Sequence, residues 1–223
     1  MLDVEAIIFD KDGTLIDVHH YWSSMLEIRA SFIVDKYNLN DRIKFELMDA
    51  MGVDIKSGKI KTDGPVGIKP RSFIVSVAVE VLNSNNISIS NTDIESIFLE
   101  VDRKTSDNIL PLLKLLPDVG RLLENLKQCG VTIMLATTDM TSRARLAMKA
   151  LGIEHFFSEI IGGDAVKFSK PSPDLALNII ERSKVNQNKT VVIGDHPVDV
   201  KMGSAANVAC NIGVLTGLSN ADL

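Results

Sequence analysis

The chain has 223 residues, 45% of them hydrophobic and 24% charged, with a formal net charge of −5. That composition suits a globular protein with one sizeable domain and a smaller insertion. It offers no overall basic surface with which to displace counterions from a nucleic-acid backbone, so no nucleic-acid partner is expected.

Two cysteines, Cys129 and Cys210, are too few for a disulfide framework. Lying beside apolar segments, they are expected to be small buried thiols in a reducing compartment. No apolar run approaches the roughly 18 residues of a membrane span, so no membrane partner is expected. Asp3 and Glu5 interrupt the opening segment, which also lacks a basic start; no signal peptide is expected, and the cytoplasm is the default.

In chain order, the first apolar run is Val4 to Phe9, ending at Asp10. A far longer stretch than a crossover needs separates it from the next. Within that stretch helical spacing recurs: Ile28, Phe32, Ile33 and Tyr37, then Ile43, Leu47 and Met51, then Phe73 through Leu82. Residues 17–115 therefore read as a helical insertion, with a loop from Ser57 to Arg71 that is rich in glycine, proline and lysine.

Pro117-Asp118 opens a helix with Leu122, Leu123 and Leu126 on one face, and Gly130 sits where a C-cap belongs. The second apolar run, Val131 to Ala136, ends at Thr137; a helix from Thr141 to Leu151 stops at Gly152. Weaker strand signals lie at Glu159–Ile161 and around Asn211–Leu215. Pro173 stands in the first turn of a helix carrying Leu175, Leu177, Ile179 and Ile180. The third run, Thr190 to Gly194, ends at Asp195. Continuous β-branched runs alternating with helices mark buried parallel strands. The expected fold is α/β: a Rossmann-like, doubly wound, mainly parallel sheet built from 1–16 and 116–223, with a helical domain of 17–115 inserted after the first strand.

Ligands of an open parallel sheet bind beyond the carboxyl ends of its strands. The three strongest strands deliver Asp10, Thr137 and Asp195 to that edge. One strand-end Asp is ordinarily a turn or helix-cap residue. Two carboxylates and a hydroxyl converging there point to a hard cation bound through oxygens, beside an anionic substrate.

The stretch Asp10-Lys11-Asp12-Gly13-Thr14-Leu15 resembles the first motif of the haloacid dehalogenase-like superfamily. Thr137 resembles the second motif, and Lys170 in Lys170-Pro171-Ser172-Pro173 the third. Gly194-Asp195 with Asp199 four positions on resembles the fourth. The four occur in order along the chain. The resemblance implies that Asp10 is a nucleophile forming an aspartyl-phosphate, and that Asp12 is the general acid and then the base. It further implies Mg2+ held by the Asp10 carboxylate, the Asp12 main-chain carbonyl and Asp195. Gly13, Thr137, Thr138 and Lys170 would bind the phosphoryl group, Lys170 stabilising its charge. Asp199 would be a supporting carboxylate that orients the metal shell or Lys170.

Dehalogenases of the superfamily lack the second acid, because a departing halide needs no proton; Asp12 therefore favours phosphate-ester cleavage. The chain departs from the pattern at Thr138, where Asn is frequent, and at His196-Pro197, where a small hydroxyl residue is frequent. Neither position performs chemistry. A lone imidazole suits Mg2+ poorly, so His196 is expected to act indirectly at most.

An insertion between the first two motifs resembles the helical cap of phosphoglycolate phosphatase-like and β-phosphoglucomutase-like members, which closes over the site and reads the leaving group. His19, His20 and Trp22 would touch substrate or pack the hinge. Lys59, Lys61, Lys69 and Arg71 would contact an anionic leaving group or simply be solvated. The expected function is thus a Mg2+-dependent phosphatase acting on a small phosphorylated metabolite, with no nucleic acid or membrane partner, as a monomer or homodimer. A phosphomutase of the β-phosphoglucomutase type is the alternative, since such mutases share these core residues. A catalytically silent binding module is a third, but Asp10, Asp12 and Lys170 are all present.

Overall fold

In chain order, strand β1 (Ala6–Phe9) leads into four helices, α1 (Val18–Lys36), α2 (Asp41–Met51), α3 (Arg71–Ser84) and α4 (Asn91–Asp107), with the short strands β2 (Val53–Asp54) and β3 (Lys59–Ile60) between α2 and α3. Helix α5 (Val119–Gln128) and strand β4 (Thr132–Ala136) follow, then α6 (Thr141–Ala150) and β5 (Phe157–Ile161). Helix α7 (Asp174–Ser183), β6 (Thr190–Gly194), α8 (Pro197–Ala205) and β7 (Cys210–Gly213) complete the order. The computed structural model describes residues 3–66 and 69–218. These divide into two units, Met1–Val18 with Leu113–Leu223, and His19–Leu112.

The first unit holds a five-stranded sheet in the order β5-β4-β1-β6-β7, with every neighbouring pair parallel. All four residues of β1 are buried, as are Ile133–Ala136 of β4. Apolar side chains on both faces of a strand require helices over both faces of the sheet, which is why these runs are continuous rather than alternating. One cluster joins Ile8, Met134 and Val192 of the sheet to Leu175, Ala176 and Ile179 of α7 and Met202 of α8. The chain steps from β1 outward to β4 and β5, then returns to the other side of β1 to add β6 and β7. The reversal lies between β1 and β6, the switch point at which such sheets bind ligands.

The second unit packs α2 against α3 and α3 against α4. Asn40 caps α2 through its side chain, and Ser90 caps α4 in a reciprocal box with Asp93, which satisfies backbone donors a helix start leaves unpaired. Leu47, Met51, Leu82, Ile94, Ile97 and Phe98 are fully buried. On α1 the buried face includes Met25, Leu26, Arg29, Ala30, Ile33 and Val34; of the residues read from spacing Ile33 is buried, whereas Ile28, Phe32 and Tyr37 are half-buried beside that face. An arginine sits on the buried face because Asp102 pairs with it at 2.9 Å and the Phe98 ring lies 4.4 Å from its guanidinium. Phe32 lies instead under the Lys104 ammonium.

Other expectations need correction. Cys129 is exposed and Cys210 half-buried, because one follows the last turn of α5 and the other lies on β7 at the sheet edge. The loop read from Ser57 to Arg71 contains β3, paired antiparallel with β2, and Arg71 already begins α3. Leu122 and Leu177 are exposed on their helices, whereas Leu123, Leu175, Ile179 and Ile180, read on the same faces, are buried. Gly130 and Gly152 do take positive φ just beyond α5 and α6.

Ile8 is fully buried in the central strand, so Ile8→Ala should destabilise the protein by about 2–5 kcal/mol in urea unfolding. Leu122→Ala, on an exposed position, should change stability by no more than about 0.5 kcal/mol.

Candidate active site

Each strand carboxyl end at the switch point carries a carboxylate. Asp10 follows β1, its N–H donating to the Ile193 carbonyl at 2.9 Å, and Asp195 follows β6. Asp199 arrives from the first turn of α8, where its Oδ2 accepts the His196 N–H at 3.1 Å. Among the described residues, Asp10, Asp195 and Asp199 each bring a carboxylate oxygen within 4.8 Å of the others.

Lys170 answers this negative charge. Its ammonium is 2.6 Å from Asp10 Oδ1 and 2.7 Å from Asp199 Oδ1, and its side chain is 1% exposed. Burial alone would lower its pKa, but Asp10 and Asp199 outweigh that and raise it, so the amine stays protonated. One ammonium does not balance three carboxylates. Burial, with Asp199 and Asp12 nearby, pushes Asp10 up to about 7 against the lowering effect of Lys170. Burial and then Asp199 also raise Asp195. The excess negative charge, on oxygen donors alone, fits a divalent hard cation. Asp199 spends one oxygen on Lys170 and the other on the His196 N–H, so Asp10 and Asp195 are the carboxylates left to hold it.

Space at the site is set by glycines. Gly13 has φ of 84°, and a Cβ there would stand 2.4 Å from Asp195 Oδ2. At Gly194 a Cβ would meet the Asp199 carboxyl group at 2.4 Å. Both positions therefore exclude any side chain.

The structure brings Asp10, Lys170, Asp195 and Asp199 together and places the other expected residues as follows. Thr137, 1% exposed, follows β4; its hydroxyl oxygen accepts the Asp139 N–H at 3.2 Å. Thr138 is exposed. Asp12 is two residues from Asp10, with Oδ1 buried and lacking a hydrogen-bond partner among the described residues. His196 is the N-cap of α8, its Nδ1 accepting the Val198 N–H at 3.3 Å, a helix-capping role. In the helical unit, His20 Nε2 lies 3.1 Å from the Pro111 carbonyl, and Arg71 pairs with Glu95 at 2.8 Å and with Asp102. His19 accepts the Ile60 N–H, and Trp22 packs edge-on to Tyr21.

Four residues were not found from the sequence. Lys11, 3% exposed, pairs with Asp12 at 3.1 Å and Asp139 at 2.9 Å. Thr216 donates to the Gly13 carbonyl, and a Cβ on Gly217 would overlap Asp195. The only sequence signal was a lysine between two aspartates, which a solvated lysine would also give.

A family profile described as "Hydrolase: haloacid dehalogenase-like hydrolase" matches residues 4–207. A phosphorylated carbohydrates phosphatase from Thermotoga maritima is 27% identical over 97% of this chain and 88% of that protein. A phosphoglycolate phosphatase from Aliivibrio fischeri is 26% identical, covering 92% of this chain and 81% of its own length. Among solved structures, a Thermotoga maritima protein provisionally assigned as a β-phosphoglucomutase has the same fold, with a TM-score of 0.71 at 24% identity over 98% of this chain and 89% of that one.

Because Asp10 holds its proton to about 7 in the folded metal-free protein and to 3.8 as a free side chain, the folded state binds the extra proton across that window. Stability due to Asp10 should therefore be full below the lower value and fall as pH rises through the window. Urea midpoints measured in a chelator should show this decline, and Asp10→Asn should flatten it.

Proposed function

The chain belongs to the haloacid dehalogenase-like hydrolases, and on that membership we propose that it is a Mg2+-dependent phosphatase acting through an aspartyl-phosphate on Asp10. The observation that carries this reading is Lys170 locked between Asp10 and Asp199 at the switch point, with Asp195 completing an all-oxygen acidic cluster.

Mg2+ would be held by Asp10, Asp195 and the Asp12 main-chain carbonyl, and when bound supplies positive charge against the carboxylates and the substrate phosphate. Asp10 attacks phosphorus, forming a P–O bond as the bond to the leaving oxygen breaks; Asp12 gives that oxygen its proton. Water then attacks phosphorus while Asp12 takes its proton, and the bond to Asp10 breaks, releasing inorganic phosphate. Lys170 and the Thr137 hydroxyl stabilise charge on the transferring group. Lys170 also keeps the nucleophile in one orientation, and its own position is fixed by Asp199.

The relatives' substrates support a small phosphorylated metabolite, of the phosphoglycolate or sugar-phosphate kind, as the substrate class. In this proposal the helical unit is the cap that reads the leaving group. Arg71, paired with Glu95 and Asp102 within that unit, and His20 are the candidates for that contact. A cytoplasmic location belongs to the proposal, supported by two free cysteines.

With Mg2+, the protein should release phosphate from p-nitrophenyl phosphate and from members of a panel of phosphorylated metabolites. Asp10→Asn should lower turnover by at least about 10³-fold, since it removes the nucleophile. Loss of Mg2+ to a chelator should also abolish turnover. An inert wild-type protein, or sugar-phosphate isomers formed without phosphate release, would overturn the phosphatase reading.

A further inference from the structure

We infer that Lys11 is a positioning residue for Asp12, and that Asp139 holds Lys11 in place from the end of the neighbouring strand. The inference rests on the acid–base reading of Asp12. Lys11 follows β1 and Asp139 follows β4, yet their side chains meet at 2.9 Å, and the same ammonium lies 3.1 Å from Asp12 Oδ2. The Lys11 side chain is 4% exposed. Removing an ammonium from water is costly unless anionic partners compensate, and an apolar residue would fill the same space without that cost. What only a lysine supplies is a fixed positive donor for the Asp12 carboxylate.

The division of Asp12's two oxygens gives that donor a use. Oδ2 is held by Lys11, whereas Oδ1 is buried with no hydrogen-bond partner among the described residues. A carboxylate tethered through one oxygen presents the other in a defined direction, which is what proton transfer to a leaving oxygen requires. The ammonium also stabilises the negative charge that remains on Asp12 once its proton has gone to the leaving group.

Asp139 is itself fixed on several sides. Its Oδ1 accepts the Met140 N–H at 2.8 Å and lies 3.4 Å from Arg143 Nε. Its own N–H donates to the Thr137 hydroxyl oxygen at 3.2 Å. Asp12 is thereby tied, through Lys11 and Asp139, to the residue proposed to bind the phosphoryl group. The acid–base group and the phosphate-binding hydroxyl are held in one frame.

The test compares two probes of similar shape, p-nitrophenyl phosphate, whose leaving group departs without a proton, and benzyl phosphate, whose alkoxide requires one. For Lys11→Met, kcat should fall at least about tenfold more on benzyl phosphate than on p-nitrophenyl phosphate, with little change in KM. Asp139→Asn should shift selectivity in the same direction. Asp12→Asn is the reference and should show the largest selectivity. Lys11→Met leaves two carboxylates facing each other, so thermal melting checks that it folds. If it does not, Lys11→Met with Asp139→Asn, which removes both charges of the pair, takes its place. Equal losses on both probes, or none, in a folded Lys11 variant would overturn the positioning role while Asp12→Asn still discriminates. An Asp12→Asn variant that does not discriminate would instead overturn the acid–base reading itself, and this inference with it.

Discussion

The Lys170 ammonium between Asp10 and Asp199 is the interaction on which the site depends. Three carboxylate oxygens are held within 4.8 Å of one another, a repulsive arrangement that burial makes worse. A single buried cation, contributed from the segment before α7, makes two of them tolerable neighbours. It holds Asp10 in one orientation and leaves an excess of negative charge on oxygen donors that suits a divalent cation. A site built this way is electrostatically incomplete, and its oxygen donors suit a divalent cation.

The backbone makes that crowding attainable. Phe9 of β1 pairs with Ile193 of β6, so the residues that follow, Asp10 and Asp195, leave the sheet on neighbouring strands. Gly13 and Gly194 then remove the two Cβ atoms that would collide with Asp195 and Asp199. The α8 N-terminus contributes Asp199 at a position where its carboxylate also satisfies a backbone donor of the helix start, so one residue serves fold and site together.

A second cation, Lys11, plays the corresponding part for Asp12. The two lysines partition the acidic groups between them: Lys170 takes Asp10 and Asp199, Lys11 takes Asp12 and Asp139. Two aspartates two residues apart thereby sit in different electrostatic surroundings, set by which buried lysine each one faces. In the helical unit, buried Arg29 and Asp102 use the same pairing principle without any acidic excess.

Much of this was legible in one dimension. The β-branched runs ending at Asp10, Thr137 and Asp195 could only be buried parallel strands, and strand ends in such sheets are where ligands bind. The Lys170-Pro171-Ser172-Pro173 segment and the Asp195–Asp199 spacing marked the remaining site residues by their resemblance to known motifs. What spacing could not give was the helical face of α1, because a paired arginine is as buried as a leucine once Asp102 is beside it. The partial exposure of Cys210 was also out of reach, since sheet order decides which strand is an edge. The partnership of Lys11 with Asp139 lay furthest from view: 128 positions separate the two, and only the pairing of β1 with β4 brings them together. The sequence alone determined which carboxylate, hydroxyl and ammonium groups the strand ends and the segments after them carry. The tertiary structure decided which charges face each other, because in a buried site the energy of a charge depends on its neighbours rather than on its identity.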